Sequence, residues 1–259
     1  MNNNKNSRSK SVLFALVVLL FVYILVVATV PSRKLSELKH EVYSDSLFHA
    51  ANKAILKNQK LFELAKIRSR KEAEMVLAQK DTFGIVVDLN DSIVWLMLKG
   101  VRVHGTKFQH FEQDRFFQAM SPLVYVHLFS KPLRTQHEFA TIVKEPIVTM
   151  KAPKDTIEAI NNAYMPDTLI QQPAYFRLDL EKGFRLIMVQ KQFSTPDEKK
   201  VERQFMRDLK YREMADNAKS FIPWKKASYT PTLVLYLNAN EIRSIYRAVP
   251  ENVQVIFSY

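Results

Sequence analysis

The residue types best suited to chemistry are gathered in one short polar stretch. His104 is followed six positions later by His110, and Glu112 and Asp114 come close behind. Imidazole and carboxylate groups can hold a metal ion or exchange protons with a substrate, so this stretch could form a metal site or an acid–base cluster. Its spacing matches no known ligand pattern, and the alternative is a set of polar side chains on a strand and its loop. We adopt that alternative and assign no catalytic residue, metal ligand or cofactor.

Composition removes several other reaction classes. The chain of 259 residues contains no cysteine and only four glycines. A cysteine nucleophile, a zinc–thiolate site and a disulfide framework are therefore excluded. The sequence also has neither a glycine-rich phosphate loop nor a Gly-x-Ser-x-Gly elbow for a serine nucleophile.

The formal net charge of +12 raises the question of a nucleic-acid partner. Lysine and arginine are interleaved with acidic residues along two long helical segments, for example between Lys53 and Glu74. Such interleaving is typical of a solvated helix face, with attraction to anionic lipid headgroups as the functional alternative. We therefore predict no nucleic-acid partner.

The N-terminal part of the chain holds the most apolar stretch. Residues 11–32 carry no charge, and residues 12–30 are long enough, at about 1.5 Å per residue, to cross a hydrocarbon core of about 30 Å. We predict a transmembrane helix over residues 11–32 after a cytoplasmic tail at 1–10, with residues 12–30 against the lipid bilayer. A cleaved signal peptide is the alternative. This arrangement predicts a single-pass protein of the inner membrane, with its C-terminal domain in the periplasm.

Two regions with different residue patterns follow the apolar stretch. Residues 33–80 contain no Gly or Pro and repeat apolar side chains at roughly helical spacing, which predicts a long juxtamembrane helix. This helix could pack on the domain or act as a stalk, or it could pair with a second copy to form a homo-oligomer. Residues 81–259 change to short β-rich runs, which predict a mainly β (α+β) extracytoplasmic domain with a charged helical insert at 196–219. The predicted strands are 83–89, 92–98, 101–108, 123–129, 140–149, 174–180, 184–190, 232–237 and 253–257.

Three of these runs carry a resemblance to a known family. They are FGIVVDLNDSIVWLMLKGVRV from Phe83, PAYFRLDLEKGFRLIMVQ over residues 173–190, and LVLYLNANEIRSIYRAVPENVQVIF over residues 233–257. In order and spacing they resemble the L,D-transpeptidase catalytic domain. The resemblance implies an open, twisted β-sandwich or barrel with helical insertions, and a groove for peptide-like chains.

The catalytic signature of that family is missing from this chain. The family uses a cysteine thiolate, a nearby histidine and an arginine within a Ser-x-Gly-Cys-x-Arg run. The matching positions here are Val234 for the cysteine, Met188 for the histidine and Tyr236 for the arginine. The resemblance therefore implies a degenerate site and a non-catalytic relative, or pseudoenzyme.

Aromatic residues in and around the charged insert are candidates for a cleft or a lid. The insert lies between the two stretches that would line the family's cleft, and it includes Phe205 and Tyr211, with Phe193 just before it and Trp224 just after it. These side chains could cover a bound ligand. The alternative is an amphipathic helix that packs one face on the sheet, with the aromatic residues in a core.

Three functional hypotheses follow. The first is a membrane-anchored, non-catalytic L,D-transpeptidase-like module that binds peptidoglycan peptide or another protein of the cell envelope. The second is a bitopic structural subunit of an envelope assembly for secretion, division or conjugation, which oligomerises through residues 33–80. The third is an enzyme with unfamiliar catalytic groups among the histidines and carboxylates between positions 104 and 114.

Overall fold

The protein is an α+β molecule built on a nine-stranded mixed sheet. A computed structural model describes residues 3–142, 144, 173–193, 195–219 and 229–259. Its helices are α1 (Asn3–Ser44), α2 (Ser46–Asn52), α3 (Gln59–Ala78), α4 (Arg115–Ala119), α5 (Pro122–Phe129), α6 (Pro196–Lys219) and α7 (Ala239–Ala248). Its strands are β1 (Gly84–Asp88), β2 (Ile93–Leu98), β3 (Val101–Lys107), β4 (His110–Gln113), β5 (Leu133–Ala140), β6 (Tyr175–Leu180), β7 (Arg185–Gln190), β8 (Thr232–Leu237) and β9 (Gln254–Ser258). Short 3-10 helices occupy Lys53–Leu56 and Glu181–Gly183.

The strands follow the order β3-β2-β1-β9-β5-β6-β7-β8-β4. The pairs β1–β9 and β7–β8 are parallel, and the other pairs are antiparallel. Strand β5 joins the two halves of the sheet, because Leu133 and Arg134 pair with β9 while the residues from Thr135 onward pair with β6. An irregular register between Thr135 and His137 lies at this change of partner.

The sheet curls so that its two ends approach each other. Strands β3 and β4 stand at opposite ends of the order, yet only Phe108 and Gln109 separate them in the chain. A link of this length spans only about 10 Å. The main-chain N–H of Phe108 donates to the Ser92 carbonyl beside β2, and that of Gln109 donates to the Tyr236 carbonyl in β8. The two sheet ends therefore meet across this link.

Apolar side chains fill both faces of the curved sheet. The main core lies on the inner face, where side chains of most strands meet those of α1, α5 and α7. On the outer face, α3 covers β1, β2 and β9, with Ala73 and Leu77 against Val86, Met97 and Ile256. Helix α6 covers another part of the outer face. We call the residues buried there the α6 cluster: Tyr175, Ile187, Val189, Leu209 and Val234.

A buried ion-pair network also attaches α3 to the sheet. The Nη1 atom of Arg70 lies 2.6 Å from the Oδ2 atom of Asp88 at the end of β1. The Nε atom of Arg70 donates to Glu74, which also accepts a hydrogen bond from Lys71. Burial alone would raise the pKa of Glu74, but these two hydrogen bonds outweigh burial and lower it.

The predicted transmembrane helix at residues 11–32 is wrong, and with it the predicted fold class. Among the described residues, no helix combines the length and the apolar character that crossing a bilayer requires. The prediction treated the apolar stretch as a separate unit, whereas α1 runs from Asn3 to Ser44 without a break. The C-terminal part of this helix packs on the protein itself, through the buried side chains Val30, Leu35, Leu38 and Val42.

The single long helix predicted over residues 33–80 is divided into segments. Its N-terminal part continues α1, and new helices begin after Asp45 and Asn58. The Asp45 side chain accepts the main-chain N–H of Phe48, and the Asn58 side chain accepts those of Lys60 and Leu61. These capping side chains satisfy N–H groups that lack a partner within a helix, so the helix can restart without a Gly or Pro to mark the break.

The predicted strand at residues 123–129 is helix α5. Short apolar runs do not distinguish a buried strand from a buried helix by periodicity. The start signal was present, because Ser121 occupies the N-cap position and Pro122 the first helical position. Strands β4 and β5 lie outside the predicted strands, apart from the last residue of β5. Most of the predicted strand at 140–149 lies outside the described residues.

Candidate functional site

The structure places Met188 and Val234 on neighbouring strands but on opposite faces of the sheet. Met188 of β7 is in register with Leu235 of β8, and Val234 is in register with Ile187. Because successive side chains alternate between faces, Met188 points into the main core and Val234 into the α6 cluster. The two degenerate-site positions therefore do not line one cleft.

Tyr236, the third of these positions, lies on the same face as Val234. Its hydroxyl donates to the Oε1 atom of Glu112 at 3.0 Å, and its ring stacks on His110 with 5.6 Å between centroids. Burial and the neighbouring Glu112 carboxylate raise the pKa of Tyr236 to about 12. The phenol therefore keeps its proton at neutral pH and acts as a hydrogen-bond donor.

His104 takes part in a separate polar set with Thr106 and Glu241. The His104 Nε2 atom lies 2.9 Å from both Thr106 Oγ1 and Glu241 Oε2, and the Thr106 hydroxyl donates to Glu241 Oε2 at 2.5 Å. A hydroxyl–imidazole–carboxylate relay needs a different ring nitrogen for each partner. Here one nitrogen meets both partners, so the set connects β3 to the first turn of α7 without forming such a relay. Hydrogen bonds from Thr106 and His104 lower the pKa of Glu241.

The four polar residues fall into three settings: His110 and Glu112 both contact Tyr236, His104 belongs to the set with Thr106 and Glu241, and Asp114 lies apart. Asp114 accepts the main-chain N–H of Thr232 at 2.7 Å, and burial raises its pKa despite that hydrogen bond. In the part of the chain that the structure describes, no group of three or more His, Asp and Glu side chains is arranged to hold a metal ion.

The predicted cleft or lid residues take different positions around α6. Phe193 and Phe205 are half-buried against the α6 cluster, so both contribute to packing of the helix on the sheet. Tyr211 is 62% exposed on the outer side of α6. Trp224 lies outside the described residues. The amphipathic packing that was the alternative to a lid is therefore present, and a crevice lies beside the helix.

This α6 crevice has a volume of about 310 Å³ and lies between α6 and the ends of β5 and β6. Its sheet side is formed by Phe139, Thr141 and Arg177, and its helix side by Val201, Gln204, Phe205, Asp208, Leu209 and Arg212. The volume is at the lower end of the range for small-ligand sites, which combine apolar walls with a few polar groups. The lining of this crevice has that mixed character.

Aromatic rings form one wall of the crevice. Phe205 stacks on Phe139 with 5.8 Å between centroids and an interplanar angle of 18°, and on Tyr175 with 5.5 Å and 19°. The Phe139 side chain is 46% exposed, although it is large and apolar. A half-exposed ring on a stacked wall offers apolar surface to a ligand.

Arg177 provides the main charge on the sheet side. Its side chain is only 13% exposed, and its Nε atom lies 3.3 Å from Asp179 Oδ2. That nitrogen is buried, and no described residue accepts a hydrogen bond from it. Asp179 also serves Arg185, which donates to Asp179 Oδ1 at 2.6 Å. One carboxylate is therefore shared by two guanidinium groups.

A second, smaller pocket of about 210 Å³ lies at the ends of β7 and β8. Gln190 and Glu198 are buried in its lining. The Gln190 side chain accepts the main-chain N–H of Ala174 at 2.8 Å and donates to Glu198 at 3.0 Å. These hydrogen bonds attach the start of α6 to the sheet.

Sequence reasoning missed Arg177, Arg212 and Phe139 as site residues. A signal for Arg177 was present, because Arg177 and Asp179 interrupt an otherwise apolar strand at alternate positions. Charged side chains that alternate with buried ones mark the face of a strand away from the core.

Comparison of the chain with protein-family models, with curated proteins and with solved structures finds no match.

Proposed function

We propose that this chain is a non-catalytic binding protein of the cell envelope, which holds a short wall-derived peptide in the α6 crevice. The main support for this proposal is the crevice itself, in which stacked aromatic rings lie beside a nearly buried arginine. Its volume of about 310 Å³ suits a chain end of a few residues, whereas a folded partner would need a much larger contact surface.

The chemistry of the lining supports binding without turnover. Thr141 carries the one hydroxyl among the residues that line the crevice, and this hydroxyl donates to the main-chain oxygen of Pro173. No histidine lines the crevice within the described part of the chain, so the hydroxyl has no imidazole there to activate it. Met188 and Val234 do not share a cleft, so the resemblance to the L,D-transpeptidases does not locate the ligand site, and a wall peptide as the ligand stays a prediction.

The alternative of an assembly that oligomerises through residues 33–80 stays a prediction, because the apolar side chains of this region are only partly buried. Some apolar side chains of this region are buried within the chain's own core, among them Leu35, Leu38, Val42, Ile55 and Leu77. Leu47, Leu64, Ile67 and Met75 of the same region are 59% to 83% exposed, so apolar surface remains there that a second copy could cover.

Retention on purified peptidoglycan tests the proposal. We expect the full chain to be retained, and we expect Gln204→Trp to abolish retention because the indole would fill the crevice. Lys200→Trp is the matched control, since Lys200 is exposed on the same helix and does not line the crevice. No retention of the unaltered chain above that of an unrelated domain would reject the proposal, and so would equal retention of the two variants. Capture of an envelope protein in place of peptidoglycan would reassign the ligand.

A further inference from the structure

The positive charge of Arg177 is only partly neutralised by its neighbours at the crevice. Asp179 is shared with Arg185, and the buried Nε atom of Arg177 has no hydrogen-bond acceptor among the described residues. Burial lowers the pKa of Arg177, and the nearby Arg185 and Arg212 lower it further, while Asp179 acts in the opposite sense. The Nε atom itself is buried, so a ligand in the crevice would meet Arg177 through the part of its guanidinium group that lines the crevice. Asp179 only partly offsets the positive charge there, because it is shared with Arg185.

The other residues that line the crevice do not remove this excess of positive charge. Arg212 and Asp208 both line the crevice from α6, and they offset each other in formal charge. With Arg177 included, the lining carries a net charge of +1, from two arginines and one aspartate. One negative charge on the ligand would neutralise it.

We propose that the α6 crevice recognises the free terminal carboxylate of its ligand through Arg177 and Arg212, with the adjoining side chain of the ligand against Phe139 and Phe205. This inference rests on the proposed function, because it names the group by which the peptide is held. Guanidinium groups match the planar geometry of a carboxylate and can donate two parallel hydrogen bonds to it. The aromatic wall lies beside them, since the Arg177 guanidinium carbon is 5.8 Å from the centroid of Phe139.

A carboxylate suits the lining better than either a phosphate or a cation. A phosphate group carries nearly two charges and would meet the Asp208 carboxylate, which leaves an excess of negative charge in the crevice. A cation would meet two arginines against one aspartate. A singly charged, planar anion on an apolar stem fits both the charge and the aromatic wall.

Isothermal titration calorimetry with a matched pair of probes tests this inference. The probes are N-acetyl-D-alanyl-D-alanine and its C-terminal amide, which differ only in the terminal charge. We expect the full chain to bind the acid at least about tenfold more tightly than the amide, as loss of a charge-assisted hydrogen bond predicts. Arg177→Met should remove this preference, and so should Arg212→Met, which changes an exposed residue and carries little risk to folding.

Arg207→Met is the matched control, because Arg207 is exposed on the same helix and does not line the crevice. It should keep the full preference for the acid. Equal affinity for acid and amide would overturn the inference, as would binding of neither probe or stronger binding of inorganic phosphate. The proposed function fails separately, when the chain is not retained on peptidoglycan although the acid probe still binds in an Arg177-dependent way.

Discussion

Arg70 Nη1 lies 2.6 Å from Asp88 Oδ2, and this contact joins α3 to the end of β1. The Asp88 side chain is only 1% exposed, so its charge depends on Arg70 for compensation. We expect Arg70→Met to lower the free energy of unfolding by about 3 to 5 kcal/mol, because a buried carboxylate is left without its cation. Urea denaturation of the full chain measures this change.

The control for that prediction is the exposed ion pair between Lys99 and Asp81. Lys99→Met should change the free energy of unfolding by less than about 1 kcal/mol, because surface ion pairs contribute little. Similar losses for the two variants would show that burial does not strengthen the Arg70 pair.

Glu241 should make stability depend on acidic pH. Hydrogen bonds from Thr106 and His104 lower its pKa in the folded state below 4.5. A lowered carboxyl pKa stabilises the fold above the unfolded-state value, and that contribution disappears as the pH falls through the folded-state value. We expect Glu241→Gln to have a lower Tm than the unaltered chain at neutral pH. The difference should shrink below pH 4.5, and a constant or growing difference would contradict this prediction.

Gly105 should be intolerant of a side chain because Trp95 lies over it. A Cβ atom at position 105 would collide with the Trp95 ring. We expect Gly105→Ala to cost about 1 to 3 kcal/mol, since the Trp95 ring, which is partly buried against the side chains beneath α3, must shift. The cost should fall in a Trp95→Leu background, which a double-mutant cycle by urea denaturation would measure. Additive losses would mean that the ring is not the cause.

Met188 and Val234 lie on opposite faces of the sheet. We therefore expect that a histidine at position 188 and a cysteine at position 234 would not interact. In a Val234→Cys background, Met188→His should leave the pH dependence of the ultraviolet absorbance of the thiolate unchanged, a readout that does not require reagent access to this buried position. Ile187→His is the positive control, because Ile187 is in register with Val234 and shares its face. That imidazole should shift thiolate formation to lower pH, since a neighbouring cation favours the thiolate. A shift produced by Met188→His would contradict the strand register.

Most strands of the sheet could be predicted from the local alternation of apolar and polar side chains. β1, β2, β3 and β6 to β9 lie within one residue of their predicted limits, because their side-chain pattern and turn residues are local signals. Helix α5 was predicted as a strand because its side chains are apolar nearly all round, and such a run has no period to read. The sequence also did not reveal that the apolar side chains near Val30 pack on the domain, because that depends on where α1 lies.

The candidate site was less predictable than the sheet. Phe193, Phe205, Tyr211 and Trp224 were predicted because they are aromatic and lie in or near the charged insert. Phe205 does line the crevice, whereas Trp224 lies outside the described residues. Arg177 and Phe139 come from two different strands, and only strand pairing places them side by side. Their role could not be read without the register of β5 on β6.

The central position of β9 has a consequence for how the protein is made. β9 lies between β1 and β5, although every other strand precedes it in the chain. While the ribosome is still synthesising those strands, β1 lacks its parallel neighbour, and its backbone N–H and C=O groups on that side stay unpaired. Unpaired strand edges favour association between chains. The nascent protein therefore passes through a period of exposure to aggregation that ends only when Gln254–Ser258 inserts.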